Sequence, residues 1–283
     1  MGRAVTHALV VAAPAKVNLF LHVTGRRADG YHLIESLFAL VDLADTLNLA
    51  VRDDGRIVRA NEVPGVPEAA DLAVRAALAL QRASGTPLGA TISLTKRIPI
   101  GGGLGGGSSD AAAVLLGLAR LWNLRMSRTD LAAVGATLGA DVPFFVHGHN
   151  AIVRGIGEIV KPVSLPPQWL ALGMPPLGVS TPAIFAAPEL TRNSPSAKID
   201  VFSEGYGRND LERVVVARHA AVAQAIAALK VVAADVRMTG SGACVVARCH
   251  SEAQAREAVA ALPAGTPGRV LRTLSRHPLA MRD

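Results

Sequence analysis

The chain has 283 residues, half of them hydrophobic and 18% charged, which excludes global disorder and allows one large or two ordinary domains with a substantial core. Aromatic residues make up only 4%, so Ala, Leu and Val must build most of that core. The formal charge of +7 suits an anionic ligand, but Arg and Lys are scattered, and no aromatic-rich basic track argues for a dedicated nucleic-acid partner.

The first seven residues run straight into an apolar strand without a three-part secretion signal. No uncharged apolar stretch of about 18 residues suggests a membrane span, so the cytoplasm is the expected compartment. Residues 5–13 and 17–23 read as two strands separated by Pro14, Ala15 and Lys16, followed by a polar loop at 25–30. An apolar segment at 33–43, a strand at 46–51 and a turn at Asp53-Asp54-Gly55 come next. Leu72, Ala76, Ala79 and Leu80 share one face of a helix expected over 69–82, and a strand is expected over 91–100.

Residues 101–112, Gly-Gly-Gly-Leu-Gly-Gly-Gly-Ser-Ser-Asp-Ala-Ala, then link that strand to a helix expected over 111–122. Glycines let a polyanion approach the backbone, and a helix start adds free amides and a positive dipole end, so this stretch reads as a phosphate cradle. A flexible or close-packed turn is the plainer alternative. The block is not a Walker A loop, because Gly107 is followed by Ser108 and no lysine ends the motif. Gly101, Gly103 and Gly106 satisfy the dinucleotide spacing, but no acidic residue closes a second strand about 20 residues later.

Ser127 and Asp130 signal a helix start, with the helix running to about Leu138 and ending near Gly139. Asp141, between a glycine and a proline in an apolar run, is a cap, a turn carboxylate or a rigidly held base. His147 and His149 lack a third partner for a metal and read as turn or surface histidines. Further strands are expected at 151–153 and 169–173, with prolines 162, 166 and 167 marking a joint between domains at 1–160 and 161–283. Residues 191–198 read as loop, 210–229 as one helix, 234–239 and 244–248 as strands, 251–262 as a helix and 269–274 as a last strand. Cys244 sits in an apolar run as a small buried hydrophobe, and neither it nor Cys249 supports a disulfide or zinc framework. Lys16 interrupts another apolar run, where an unpaired cation is costly; it either finds a partner or snorkels to solvent.

Pro14–Leu19, Gly101–Ala112 and Leu138–Phe145 together resemble the GHMP small-molecule kinase superfamily, and 238–244 is similar to its late glycine motif. Residues 25–32 and 139–145 resemble more closely the branch that phosphorylates the 2-hydroxyl of a cytidylyl methylerythritol in non-mevalonate isoprenoid synthesis. The resemblance implies an α+β two-domain fold, with a ribosomal-protein-S5-like amino-terminal domain and a ferredoxin-like carboxy-terminal domain. It implies ATP and Mg²⁺, a small-molecule cytidylyl substrate, no membrane partner, and a monomer or weak homodimer.

Carried residue by residue, the resemblance makes Asp141 the base and Lys16 the group that orients the hydroxyl. It puts Pro99, Gly101, Gly102, Gly103, Leu104, Gly105, Gly106, Gly107, Ser108 and Ser109 on the nucleotide, with Ser108 a metal ligand. Asn18, Tyr31, His32, Asp141, Thr181 and Phe185 face the substrate. Two positions depart from the pattern: Asp71 stands for the asparagine expected near the adenine, and Asp110 for another after the serines. Asp110 is expected to cap the helix or act through Mg²⁺. A mevalonate-, homoserine- or sugar-type kinase of the same superfamily remains the enzymatic alternative, and a non-enzymatic nucleotide- or RNA-binding module the remote one.

Overall fold

The computed structural model describes residues 7–196 and 207–281. Two long antiparallel strands, β1 (Ala8–Arg26) and β2 (His32–Arg52), form its spine. Each was expected as two pieces, but both continue because bulges absorb the irregularities. The register slips between Pro14 and Lys16, again between Asn18 and Phe20, and again between Val23 and Gly25. Among the named strands of the described residues β1 pairs with β2 alone, with one isolated bridge from Leu21 to Asn209, and an edge strand tolerates Pro14. The first slip turns the Lys16 N–H away from β2 and onto the Leu104 carbonyl, 3.0 Å away.

The other edge of β2 is shared. Its late half pairs with β4 (Gly89–Thr95), after β3 (Ile57–Arg59) and helix α1 (Leu72–Ser84) have intervened. Its early half pairs with β5 (Ala151–Gly155), which pairs in turn with β6 (Ile159–Pro162). Helices α2 (Gly106–Leu121), α3 (Arg128–Ala136) and α4 (Val142–His147) complete this layer. Small residues set its spacing: a Cβ on Gly117 of α2 would strike Leu49 Cδ1, so α2 lies close against β2. Caps fix the helix ends. Asp71 accepts from the Ala73 N–H, and Ser127 and Asp130 form a reciprocal capping box.

A second antiparallel sheet, in the order β10-β7-β9-β8, is built from β7 (Trp169–Gly173), β8 (Asp235–Met238), β9 (Val245–Cys249) and β10 (Gly268–Arg272). Helices α5 (Thr181–Phe185), α6 (Glu212–Arg218), α7 (Ala220–Lys230) and α8 (Glu252–Ala260) accompany it. The single helix expected over 210–229 is broken at His219, whose backbone is extended at φ −135°, ψ 92°. The expected loop at 191–198 lies partly outside the described residues, and what is described, 191–196, is irregular.

Each sheet has its own apolar core, and a third cluster seals the two together. It brings Val17, Leu37 and Val41 against Leu170, Leu172 and Leu271. Beyond β10 the chain returns to the first layer, where the Leu274 N–H donates to the Leu40 carbonyl and the His277 N–H to that of Gly148. Among the described residues, no helix is long and apolar enough to cross a membrane, and no cluster of three metal-ligating side chains occurs. Cys244 and Cys249 are free and buried.

Candidate active site

A cavity of about 920 Å³ opens where the two sheets meet. Its walls take in Lys16, the glycine block and Asp141 from the first layer, and Thr181, Phe185 and Ser241 from the second. Tyr31 and His32 close one end; Val63, Val66, Leu72 and Leu94 give an apolar patch.

The glycine block has two jobs. α2 begins at Gly106, five residues before the expected start, so the helix opens inside the block itself. Gly105, left-handed at φ 70°, occupies the N-cap without a side chain to satisfy the first turn, which leaves the leading amides free for an anion. Gly101 and Gly107 border comparatively open space. The interior glycines, in contrast, are forced by packing. A Cβ on Gly103 would overlap the Thr239 carbonyl, and one on Gly102 would come within 2.7 Å of Cys244 Sγ. The cradle and the close-packed turn are one structure.

Two of the residues expected on the nucleotide point elsewhere. Ser109 is fully buried and its hydroxyl donates to the Pro14 carbonyl at 2.6 Å, because the earlier helix start rotates it toward β1. Leu104 buries its side chain in the inter-sheet cluster and offers the site its backbone. Pro99 and Ser108 do line the cavity.

Lys16 is 4% exposed. Its Nζ donates to Asn18 Oδ1 at 2.6 Å, sits 4.6 Å from the Phe38 ring centroid and lies 3.9 Å from Asp141 Oδ2. Burial pushes its pKa below the ordinary lysine range, and Asp141 opposes that shift. Asp141 stands at the N-cap of α4 but makes no capping bond; its side chain is 30% exposed and free to face the cavity. At 3.9 Å the pair is too far apart for a direct hydrogen bond, yet one oxygen at about 2.8 Å from each would bridge them. Asn18 lines the cavity with its amide already engaged: besides Lys16, Nδ2 donates to Ser36 Oγ at 2.8 Å, and its backbone N–H donates to Thr239 Oγ1 at 2.8 Å. It holds Lys16 in place.

At the far end, His32 and Phe185 are ring neighbours, 5.0 Å between centroids and tilted by 30°. Tyr31 is 61% exposed at the rim. The Thr181 and Ser241 hydroxyls are 2.6 Å apart, which ties α5 to the turn after β8. His147 is half-buried and, with His149, takes no part in the site.

Lys96 carries a signal the sequence reading missed. The lysine sought after the glycine run comes before it, at the end of β4, and its ammonium would lie 3.3 Å from a Cβ on Gly106. Asp45 and Asp110 hold it at 2.5 and 2.7 Å. Burial alone lowers its pKa, but the two carboxylates outweigh burial and raise it. Asp110 is therefore no helix cap: with α2 starting at Gly106, it falls in the second turn, buried, with its pKa pushed up to about 7 by burial against the pull of Lys96. Asp71 caps α1 and pairs with Arg59 at 3.0 Å, so its carboxylate is committed to structure.

Residues 71–149 match the family model of the GHMP kinases N terminal domain, and 188–267 that of the GHMP kinases C terminal. A 4-diphosphocytidyl-2-C-methyl-D-erythritol kinase of Thiobacillus denitrificans is 54% identical over 267 residues, covering 94% of this chain and 96% of that protein. A crystal structure of a 4-(cytidine 5'-diphospho)-2C-methyl-D-erythritol kinase superposes with a TM-score of 0.83 at 36% identity, covering 94% of this chain and 99% of the other. A homoserine kinase of Cytophaga hutchinsonii shares the fold at a TM-score of 0.75 and 16% identity, with 98% of each chain covered.

Proposed function

The chain belongs to the 4-diphosphocytidyl-2-C-methyl-D-erythritol kinases within the GHMP kinases, and from that premise we propose that Lys16 and Asp141 carry out the transfer. It is an ATP-dependent kinase that phosphorylates the 2-hydroxyl of 4-diphosphocytidyl-2-C-methyl-D-erythritol in the non-mevalonate route to isoprenoid precursors. Its fold is the two-domain GHMP fold, ribosomal-protein-S5-like followed by ferredoxin-like. We assign residues 1–160 to an ATP-binding domain that also lends Asn18, Tyr31 and His32 to the substrate, and 161–283 to the substrate-binding domain, in a cytoplasmic enzyme.

The observation that carries the mechanism is the ion pair facing the cavity beside the bare start of α2. Asp141 takes the proton of the attacking hydroxyl. Lys16 orients that hydroxyl and favours the negative charge growing on it. Transfer is direct and in line, since phosphoryl transfer depends on alignment and charge stabilisation more than on covalent help. The amides of the glycine block hold the phosphates, with Lys96 beside them. Mg²⁺, an oxygen-seeking ion satisfied by few protein ligands, fits the half-buried hydroxyl of Ser108 on the cavity wall and would neutralise phosphate charge. Tyr31, His32 and Phe185 hold the cytosine, with Thr181 and Asn18 nearby.

The test is ADP release from the purified enzyme across alcohols: the cytidylyl compound, mevalonate, homoserine and galactose. The expected outcome is a preference for the cytidylyl compound of at least about 100-fold in kcat/KM, with phosphorus NMR placing the new phosphate on its 2-hydroxyl. Preference for another alcohol, or phosphate on another oxygen, would refute the reading.

A further inference from the structure

Arg192, in the irregular segment after α5, is held by four hydrogen bonds next to the cavity-lining residues His32 and Phe185. Its Nε donates to His32 Nε2 at 3.0 Å. The remaining guanidinium nitrogens donate to the carbonyls of Leu190 at 2.9 Å, Phe185 at 3.0 Å and Ala187 at 2.6 Å. One side chain thus grips the end of α5, which carries Phe185, and the ring stacked against Phe185.

A guanidinium only donates and never loses its proton. The imidazole nitrogen facing it must therefore present a lone pair. A proton there would set two donors against each other, and a doubly protonated ring would set two cations side by side. Burial and the charges of Arg192 and Arg26, which face His32 from two elements, act in the same sense and lower its pKa. Only Nδ1 is left to carry the proton, so the ring offers a substrate one donor and no acceptor.

We propose that Arg192 is a specificity-determining positioning residue that acts through His32, fixing it as a neutral Nδ1–H donor that selects cytosine over uracil. The inference rests on the cytidylyl reading above and deepens it. Cytosine presents N3 as an acceptor, which a fixed donor satisfies; uracil presents N3–H, which the same donor opposes. A ring free to switch tautomers would accept either base. Once the base covers the half-buried ring, a donor facing a donor leaves both unpaired, a mismatch costly enough to act as a filter.

Two measurements on the full chain test it. Nitrogen-15 NMR of the histidines, without ligand, reads the tautomer directly: His32 should carry its proton on Nδ1 in the native enzyme. Arg192→Met should release it to a tautomer mixture whose pKa rises only part of the way toward the ordinary histidine value, since burial and Arg26 still lower it. Kinetics with the cytidylyl substrate and its uridylyl analogue read the consequence. Arg192→Met should raise KM for the cytidylyl substrate about tenfold to 100-fold and shrink the preference over the uridylyl analogue at least about tenfold. KM for ATP and kcat at saturation should stay within about threefold. Arg192→Lys, which keeps a cationic donor but loses the fork, should keep the Nδ1–H tautomer and most of the preference.

A native His32 protonated on Nε2 would overturn the proposal. So would Arg192→Met weakening both nucleotides equally with the tautomer unchanged, since that is the signature of a clamp on α5 and nothing more. A native enzyme that favours no cytidylyl alcohol would instead overturn the substrate reading, and the base selectivity with it. The tautomer is read without substrate and so separates the two failures.

Discussion

Lys16 carries its charge into a place water barely reaches, and Asp141 is what makes that tolerable. Removing either leaves the other without its counter-charge. Asp141→Asn should lower kcat by about 10²- to 10⁴-fold, with KM for ATP changed by no more than a few-fold, because the amide cannot take the hydroxyl proton. Lys16→Met should lose turnover on a similar scale while nucleotide binding, measured by calorimetry, persists. The lowered pKa of Lys16 has a direction to check: as pH rises the ammonium is lost sooner than in an ordinary lysine. Turnover should therefore fall on the alkaline side, and Lys16→Arg should abolish that fall in whatever activity it retains, since arginine stays charged. Lys16 and Asp141 stood out in the sequence because each is a charge set in an apolar run; their roles came from the family resemblance, and the structure brings them within 3.9 Å. Lys96 and Arg192 did not stand out, since their meaning comes from partners 51 and 160 positions away, Asp45 and His32.

The glycine block shows how one element is shaped by another that no local pattern announces. The helix start with uncapped amides was readable from glycine, serine and a following apolar run, and the phosphate seat we propose there builds on it. The block's close fit against Thr239 and Cys244 was not readable, because both lie in the second layer. That fit predicts a graded outcome. Gly103→Ala combines a left-handed φ of 78° with a clash against backbone, and should raise KM for ATP at least about tenfold and lower the melting temperature. Gly101→Ala shares the φ, 73°, but its nearest neighbour stands 3.9 Å away, so strain alone acts and the loss should be clearly smaller. A reversed order would mean the block is not seated on the Thr239 turn. Elsewhere, element ends defeated the sequence both where nothing marks them and where a proline marks a bulge instead of an end. His219 breaks a helix that reads as continuous, and bulges carry β1 and β2 through positions that read as breaks.

Across the whole molecule, the prolines at 162, 166 and 167 fall around the passage from one sheet to the other, between β6 and β7. They do not reveal how firmly the layers are joined. Arg237 of β8 reaches the Leu19 carbonyl at 2.6 Å, Asp210 donates its N–H to Leu21, and the tail beyond β10 docks back on the first layer. His277 anchors that tail. It is buried, its Nδ1 accepts from the Leu279 N–H at 3.1 Å, and burial, followed by Arg128, lowers its pKa to about 4. The unfolded chain takes up this proton near the ordinary histidine value and the native chain only near 4, so this stability is present above about pH 6.5 and lost as pH falls toward 4. His277→Asn, which keeps an acceptor for Leu279, should lose less melting temperature than the native chain between pH 7 and pH 4.5. Parallel losses in both would show that this histidine does not govern the acid limb.

Leu104 gives its carbonyl to the Lys16 N–H; Lys16 grips Asn18; Asn18 hangs on Thr239; and the Thr239 carbonyl bears on Gly103, next to Leu104. These contacts close a ring. The proposed seat of the phosphate donor and the proposed handle on the accepting alcohol thus share one continuous chain of contacts. On that proposal, a shift of the one should carry the other with it and keep the line of attack.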